Sequence, residues 1–212
     1  MGKINLGILG NFSGKVGNVV GGSWKGISYM RAKATSVSNP RTDGQVAQRS
    51  KFALALGILK PMTGFIRVGY KRFATKQTAF NAAMSYILNN AITGIFPDFS
   101  VDLSKVLVSR GNLTVASEAQ ALATGGSIGL TWTDNSGSGS ALATDKALVV
   151  VLNLVRAEAV YETAGSQRST GAHEIAVPAD WLGEDVEVFL GFITQDGKDV
   201  ANSVYLGSVK VV

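Results

Sequence analysis

Cysteine is absent from this 212-residue chain, histidine occurs once, at His173, and proline is held to 4 residues. Without cysteine there is no disulfide, no thiolate zinc site and no thiol nucleophile. A single imidazole argues against a histidine-based metal site, and no cofactor or metal is expected. Few prolines beside 25 glycines point to many tight turns and few rigid linkers. Long apolar runs are missing too: nothing approaches the ~18 residues of a membrane span. The start, Met1 to Gly10, holds one basic residue and a very short apolar patch, so no signal peptide is expected. The expected location is the cytoplasm or a virion.

Acid is the scarcest commodity in the first part of the chain. Residues 1–97 carry 13 Lys/Arg against one acid, Asp43, for a net +12, whereas residues 98–212 carry 7 against 14, for a net −7. The modest overall +5 conceals a basic module joined to a mildly acidic one. Such a split suggests either a nucleic-acid partner or copies that meet basic surface to acidic surface. With 46% hydrophobic and 17% charged residues there is enough apolar material for packed cores.

Periodicity divides the chain in the same place. Val16, Asn18 and Val20 fall on one face of an extended run, and Ile27 to Lys33 makes a second, with glycines between them. A β-hairpin follows, with Tyr29, Arg31 and Lys33 on one face of its second strand. Asn39-Pro40 opens a turn, and Thr42 with Gln45 has the spacing of a capping box, so a helix is predicted to start there. Its stripe would be Val46, Arg49, Ala53, Leu56 and Leu59, with Pro61 ending it. Gly64 to Phe73 reads as a helical turn or an irregular connection. A further helix follows from Thr75, with Phe80, Met84, Ile87, Leu88, Ala91 and Ile92 as its apolar stripe.

From Phe99 period two takes over. Strands are predicted at 105–108, 113–116, 127–133, 147–155, 158–162, 173–177, 184–194 and 203–211. This density of short strands describes a sandwich of immunoglobulin or fibronectin outline, with Trp132 inside. The predicted fold class is α+β, with a small β-hairpin and helical module at 1–97 followed by an all-β sandwich at 98–212.

No chemical motif survives inspection. Gly10 to Lys15 is one residue short of a phosphate loop, and Val16 stands where a magnesium-binding Ser or Thr belongs. His173 lacks a Gly-x-Ser-x-Gly elbow and reads as a surface or strand-end residue. Glu184, Asp185, Glu187, Asp196 and Asp199 lack calcium-loop spacing and read as solvated acids. A carbohydrate-binding sandwich would call for an exposed Trp181 or Tyr205.

The run Ser13 to Val20, with Trp24-Lys25-Gly26, Arg31, Asn39-Pro40-Arg41-Thr42, Gln45, Gln48, Arg49 and Phe52, resembles a large uncharacterised family from Bacteroidota. Leu130-Thr131-Trp132, Asp145-Lys146-Ala147 and Asn202 to Gly207 resemble its second half. The first half also looks like short basic proteins found among phage structural genes. The resemblance implies an architecture and a bacterial or phage origin, with no catalytic residues to carry over.

What remains is a basic set that has almost no acids to pair with. Lys15, Trp24, Lys25, Tyr29, Arg31, Lys33, Arg41, Arg49, Arg67, Lys71, Arg72 and Lys76 are the candidate contact residues. They would meet either the acidic surface of another copy or a phosphate backbone. In the first case Arg67, Lys71 and Arg72 would face acids such as Glu184, Asp185 and Glu187 across a subunit contact. The expected function is a non-enzymatic, self-assembling structural protein, a component of a phage or phage-derived particle. The alternative is a nucleic-acid-binding protein.

Overall fold

The structure, a computed structural model, describes residues 3–4, 10–24, 26–36, 39–75 and 77–212. Contacts divide the chain into two compact units, Met1–Thr42 and Asp43–Val212.

The first unit is an antiparallel sheet of β1 (Lys3–Ile4), β2 (Phe12–Val16), β3 (Val19–Trp24) and β4 (Ile27–Ala32), in that order across the sheet. The single run predicted from Val16 to Val20 is a hairpin tip instead. Val16 pairs with Val19, and Gly17 and Asn18 form the two-residue turn between them. Gly17 takes φ +56°, and a glycine at the first turn position suits a two-residue loop whose twist must match its strands. The second hairpin forms where it was expected, closed by the Trp24–Ile27 pair.

The second unit begins with α1 (Asp43–Leu59), starting directly after Thr42, then α2 (Thr63–Gly69) and α3 (Ala79–Asn90). The predicted α1 stripe is rotated: Ala55, Ile58 and Leu59 are buried, whereas Phe52 and Leu56 are exposed. Residues 52–59 are apolar on nearly every side, so periodicity alone could not choose the inner face, and packing did. In α3 the Thr78 hydroxyl accepts the Asn81 amide at 3.1 Å, a side-chain cap that sets the helix start. Ile92, predicted as the last residue of this helix's apolar stripe, begins the hairpin β5 (Ile92–Ile95) and β6 (Asp98–Val101).

Seven strands follow: β7 (Ser117–Thr124), β8 (Ser127–Thr133), β9 (Lys146–Asn153), β10 (Glu158–Glu162), β11 (Ala172–Ala176), β12 (Asp185–Ile193) and β13 (Val204–Lys210). They form two antiparallel sheets, β10-β9-β12-β13 and β11-β8-β7. Two predicted strands are absent. Lys105 ends a 3₁₀ turn that begins at Leu103, residues 106–108 continue outside any strand, and Leu113 makes a single bridge to Ala201. The strand at 117–124 was not predicted.

β9 shows how the layers stack. Leu148, Val150 and Leu152 share a core with Leu59, Phe65, Ile66 and Ile87 of the helices. Ala147, Val149 and Val151 point the other way and share a core with Ile128, Leu130 and Trp132. β12 divides likewise, Phe189 and Ile193 to one side and Val188, Leu190 and Phe192 to the other. The four-stranded sheet is therefore covered on both faces, which is why β9 is an unbroken apolar run. The helices share a core with the sheet, so the compact unit starts at Asp43 and not at residue 98. The whole is mixed α+β and mostly β.

Arg168 ties the loops at one end of these sheets together. Its guanidinium reaches Asp145, Asn135 and the carbonyls of Thr114 and Val115. It lies 3.8 Å from the centroid of the Phe192 ring, while the Trp132 indole donates to its carbonyl. Among the described residues no single helix is long and apolar enough to cross a membrane.

Candidate association surface

The first unit carries six Lys/Arg and no acid within residues 1–42. Cross-strand pairs share a face of a sheet, so the register assigns its side chains to two sides. Lys15 pairs with Val20 and Val20 with Arg31, placing two cations in one row, about 10 Å apart across two strand spacings. The next pair on that face is Gly22–Tyr29, and the last is Trp24–Ile27. The Tyr29 ring lies over Gly22, its hydroxyl 3.1 Å from where a Cβ would stand, so the missing side chain seats the aromatic. This face therefore joins Lys15 and Arg31 to Tyr29 and Trp24.

The opposite face is different in kind. Val16, Val19 and Ala32 make one row, and Gly14, Gly21 and Met30 the next. Phe12 covers Gly21, where a Cβ would meet its ring at 2.6 Å. None of these positions is charged. Neither face is buried: Trp24 is 65% exposed, Ile27 68% and Met30 71%, and every residue of β4 is open to solvent. β4 also ends the sheet, and among the described residues no strand pairs with its outer edge.

The remaining predicted contact residues are dispersed. Lys33 follows β4, its amide donating to the Asn18 carbonyl at 2.7 Å, and Arg41 lies exposed ahead of α1. Arg49 on α1, Arg67 on α2, and Lys71 and Arg72 on the 3₁₀ turn after it belong to the second unit and are exposed. Lys25 and Lys76 lie outside the described residues.

Several acids are engaged within the chain. Arg72 pairs with Asp199. Arg156 binds Glu184 at 2.7 Å and Asp180 at 2.7 Å, and its bond, with that of Asn153, holds the Glu184 carboxyl below its ordinary value. Glu187 accepts from the Tyr205 hydroxyl, and burial and this bond together push the phenol upward. Lys198 and Thr194 hold Asp196 well below the carboxylate range.

His173, expected at the surface or a strand end, is the second residue of β11 and nearly buried. Its Nδ1 receives both the Ser166 amide at 3.2 Å and the Ser166 hydroxyl at 3.0 Å. Its Nε2 lies 3.1 Å from Glu162, within ion-pair reach but out of line for a hydrogen bond. Because the backbone amide shares Nδ1 with the hydroxyl, the ring holds both the main chain and the side chain of Ser166. Trp181 is buried and bonded to Glu158, so it is no carbohydrate platform.

A family model described as a family of unknown function, DUF6266, matches residues 11–207. The chain belongs to that family. The DUF6266 match takes in β2, β3 and β4 as well as the layered second unit, so the exposed sheet is part of the family architecture. No curated protein and no solved structure matches the chain.

The charge-free face of the sheet is hard to see in the sequence because its apolar residues are interleaved with glycines and with the more conspicuous cations. Its signal was present in Phe12, Val16, Val19 and Met30, apolar residues in a segment too short to enclose a core.

Proposed function

We propose that this DUF6266 protein is a non-enzymatic structural protein that self-assembles through its first unit, as a component of a phage or phage-derived particle. One observation carries the reading: the sheet of residues 12–32 keeps apolar side chains exposed on both faces and, among the described residues, one strand edge without a partner strand. A small sheet of this kind has too little core to be stable alone, and its exposed apolar surface favours a partner. The phage and Bacteroidota origin rests on the sequence resemblance of Ser13 to Val20 and Asn39 to Thr42. For the second unit we read an immunoglobulin- or fibronectin-like sandwich with the helices laid on its outer face. The support is two antiparallel sheets around one core and the interior Trp132 on β8.

A second reading has its own observation. The Lys15–Val20–Arg31 row beside Tyr29 and Trp24 pairs cations with rings, as single-stranded nucleic-acid sites do. Size-exclusion chromatography with light scattering on nuclease-treated protein, at low and high salt, separates the two. Self-assembly gives a large species free of nucleic acid whose size follows protein concentration. Nucleic-acid binding gives excess absorbance at 260 nm before nuclease, lost in high salt. A monomer in both salts rejects self-assembly as an intrinsic property.

A further inference from the structure

A cavity of about 480 Å³ opens in the second unit between the 3₁₀ turn that follows α2 and the segments 110–112 and 202. Its walls are Arg72, Phe73, Arg110, Gly111, Asn112 and Asn202. Arg110 is half-buried, its guanidinium carbon 4.5 Å from the Phe73 ring centroid and 5.1 Å from that of Tyr86. Two rings hold the planar group in place, and its backbone is fixed as well, the Arg110 amide donating to Gly69 at 3.0 Å. Among the described residues no carboxylate is ion-paired with it. Cation–π contact stabilises such a group but supplies no counter-charge.

The other walls are rich in donors. Arg72 pairs with Asp199, and its guanidinium has five N–H groups, more than one carboxylate can engage. The Asn202 carbonyl oxygen accepts the Gly111 amide at 3.0 Å, which fixes that amide's orientation and leaves its NH₂ for other partners. Among the described residues no acid lines the cavity, and Asp199 pairs with Arg72 at its wall.

We propose that this cavity binds an oxyanion, a phosphate or carboxylate group, with Arg110 as the principal ligand and Arg72 and Asn202 assisting. Arginine suits the role because its rigid fork matches both groups with two parallel bonds. The site stands on the second unit alone and holds whether or not the first unit drives assembly.

The test is calorimetric titration of the full-length protein with inorganic phosphate, and separately with acetate, at matched ionic strength. Wild type shows saturable binding to at least one of them, and the tighter anion identifies the chemistry. Arg110→Met, which keeps an apolar stem between the rings, weakens binding about tenfold or more. Lys60→Met, at an exposed position outside the cavity, leaves binding unchanged. Arg72→Gln, at an exposed position, weakens it as well and serves should Arg110→Met fail to fold. Absence of saturable heat with both anions overturns the site. So does equal weakening by Lys60→Met and by the cavity variants, which would mark general attraction to a basic surface. Loss of self-association in Arg110→Met, in protein that binds neither free anion, likewise overturns it and assigns Arg110 to a subunit contact.

Discussion

Arg168 and Asp145 form an ion pair in which neither side chain is exposed, Nε to Oδ2 at 3.2 Å. Asp145 also accepts the Leu142 amide, and burial pulls the guanidinium below its ordinary value without costing its charge. The pair joins loops far apart in sequence, since the same guanidinium holds carbonyls of Thr114 and Val115.

Arg168→Met is therefore expected to destabilise the protein by about 3–5 kcal/mol, because Asp145 is left as an uncompensated buried charge. Arg168→Met combined with Asp145→Leu should recover part of that loss. Urea denaturation followed by tryptophan fluorescence checks both, since Trp132 donates to the Arg168 carbonyl. A double variant less stable than the single one would refute the argument.

On the first unit, Val16→Thr with Met30→Thr removes apolar surface from the uncharged face, and Trp24→Ser with Ile27→Ser does so at the hairpin tip. Each buried apolar side chain contributes about 1.5–3 kcal/mol to association. Either double variant is expected to shift the association midpoint at least tenfold, read by light scattering across a dilution series. The cooperative melt of the second unit should not move. An unchanged midpoint in both variants would remove the sheet from the contact.

Two glycines make a contrasting pair. A Cβ at Gly69 would stand 2.6 Å from the Val108 carbonyl oxygen and 3.0 Å from Ser109, so Gly69→Ala should cost about 1–3 kcal/mol. Gly57, inside α1, has nothing within 4 Å of the same position. Gly57→Ala should stabilise by about 0.5–1 kcal/mol. Thermal melts of the two variants should move in opposite directions.

Acid sensitivity follows from Glu184. Its folded-state value is depressed from 4.5, first by the Arg156 bond and then by Asn153. A depressed carboxyl contributes stability that is present above the unfolded value and is lost as pH falls through the folded one. Stability should therefore drop below about pH 4.5. Arg156→Gln should flatten that drop while leaving its position on the pH axis close to wild type. A drop equally steep in Arg156→Gln would assign the acid sensitivity to other carboxylates.

Much of the second unit was legible because its strands are long and apolar. The run from Ala147 to Leu152 announced a buried strand, and the sequence even held the cue that both its faces are covered, since it does not alternate. β7 stayed hidden because Ala119, Ala121 and Ala123 fill its inner positions, and alanine alternation is a weak strand signal. It also carries a bulge between Ser117 and Gln120 that breaks period two. By alternation alone Gly17 and Asn18 read as strand, though a glycine with an asparagine between valines is itself a turn signal. Of the association surface, the cationic half was visible as composition. Its grouping of Lys15, Arg31, Tyr29 and Trp24 on one side needed the register, which that turn sets.

The double covering of β9 has a consequence in time. The helices leave the ribosome before the strand they lie against, β9, which starts only at Lys146 while α3 ends at Asn90. Through that interval the inner sides of Leu59, Phe65 and Ile87 have no sheet to meet, and a nascent chain stopped before residue 146 keeps them open to chaperones. The order of synthesis makes the helical layer a waiting template, closed only when the last third of the chain arrives.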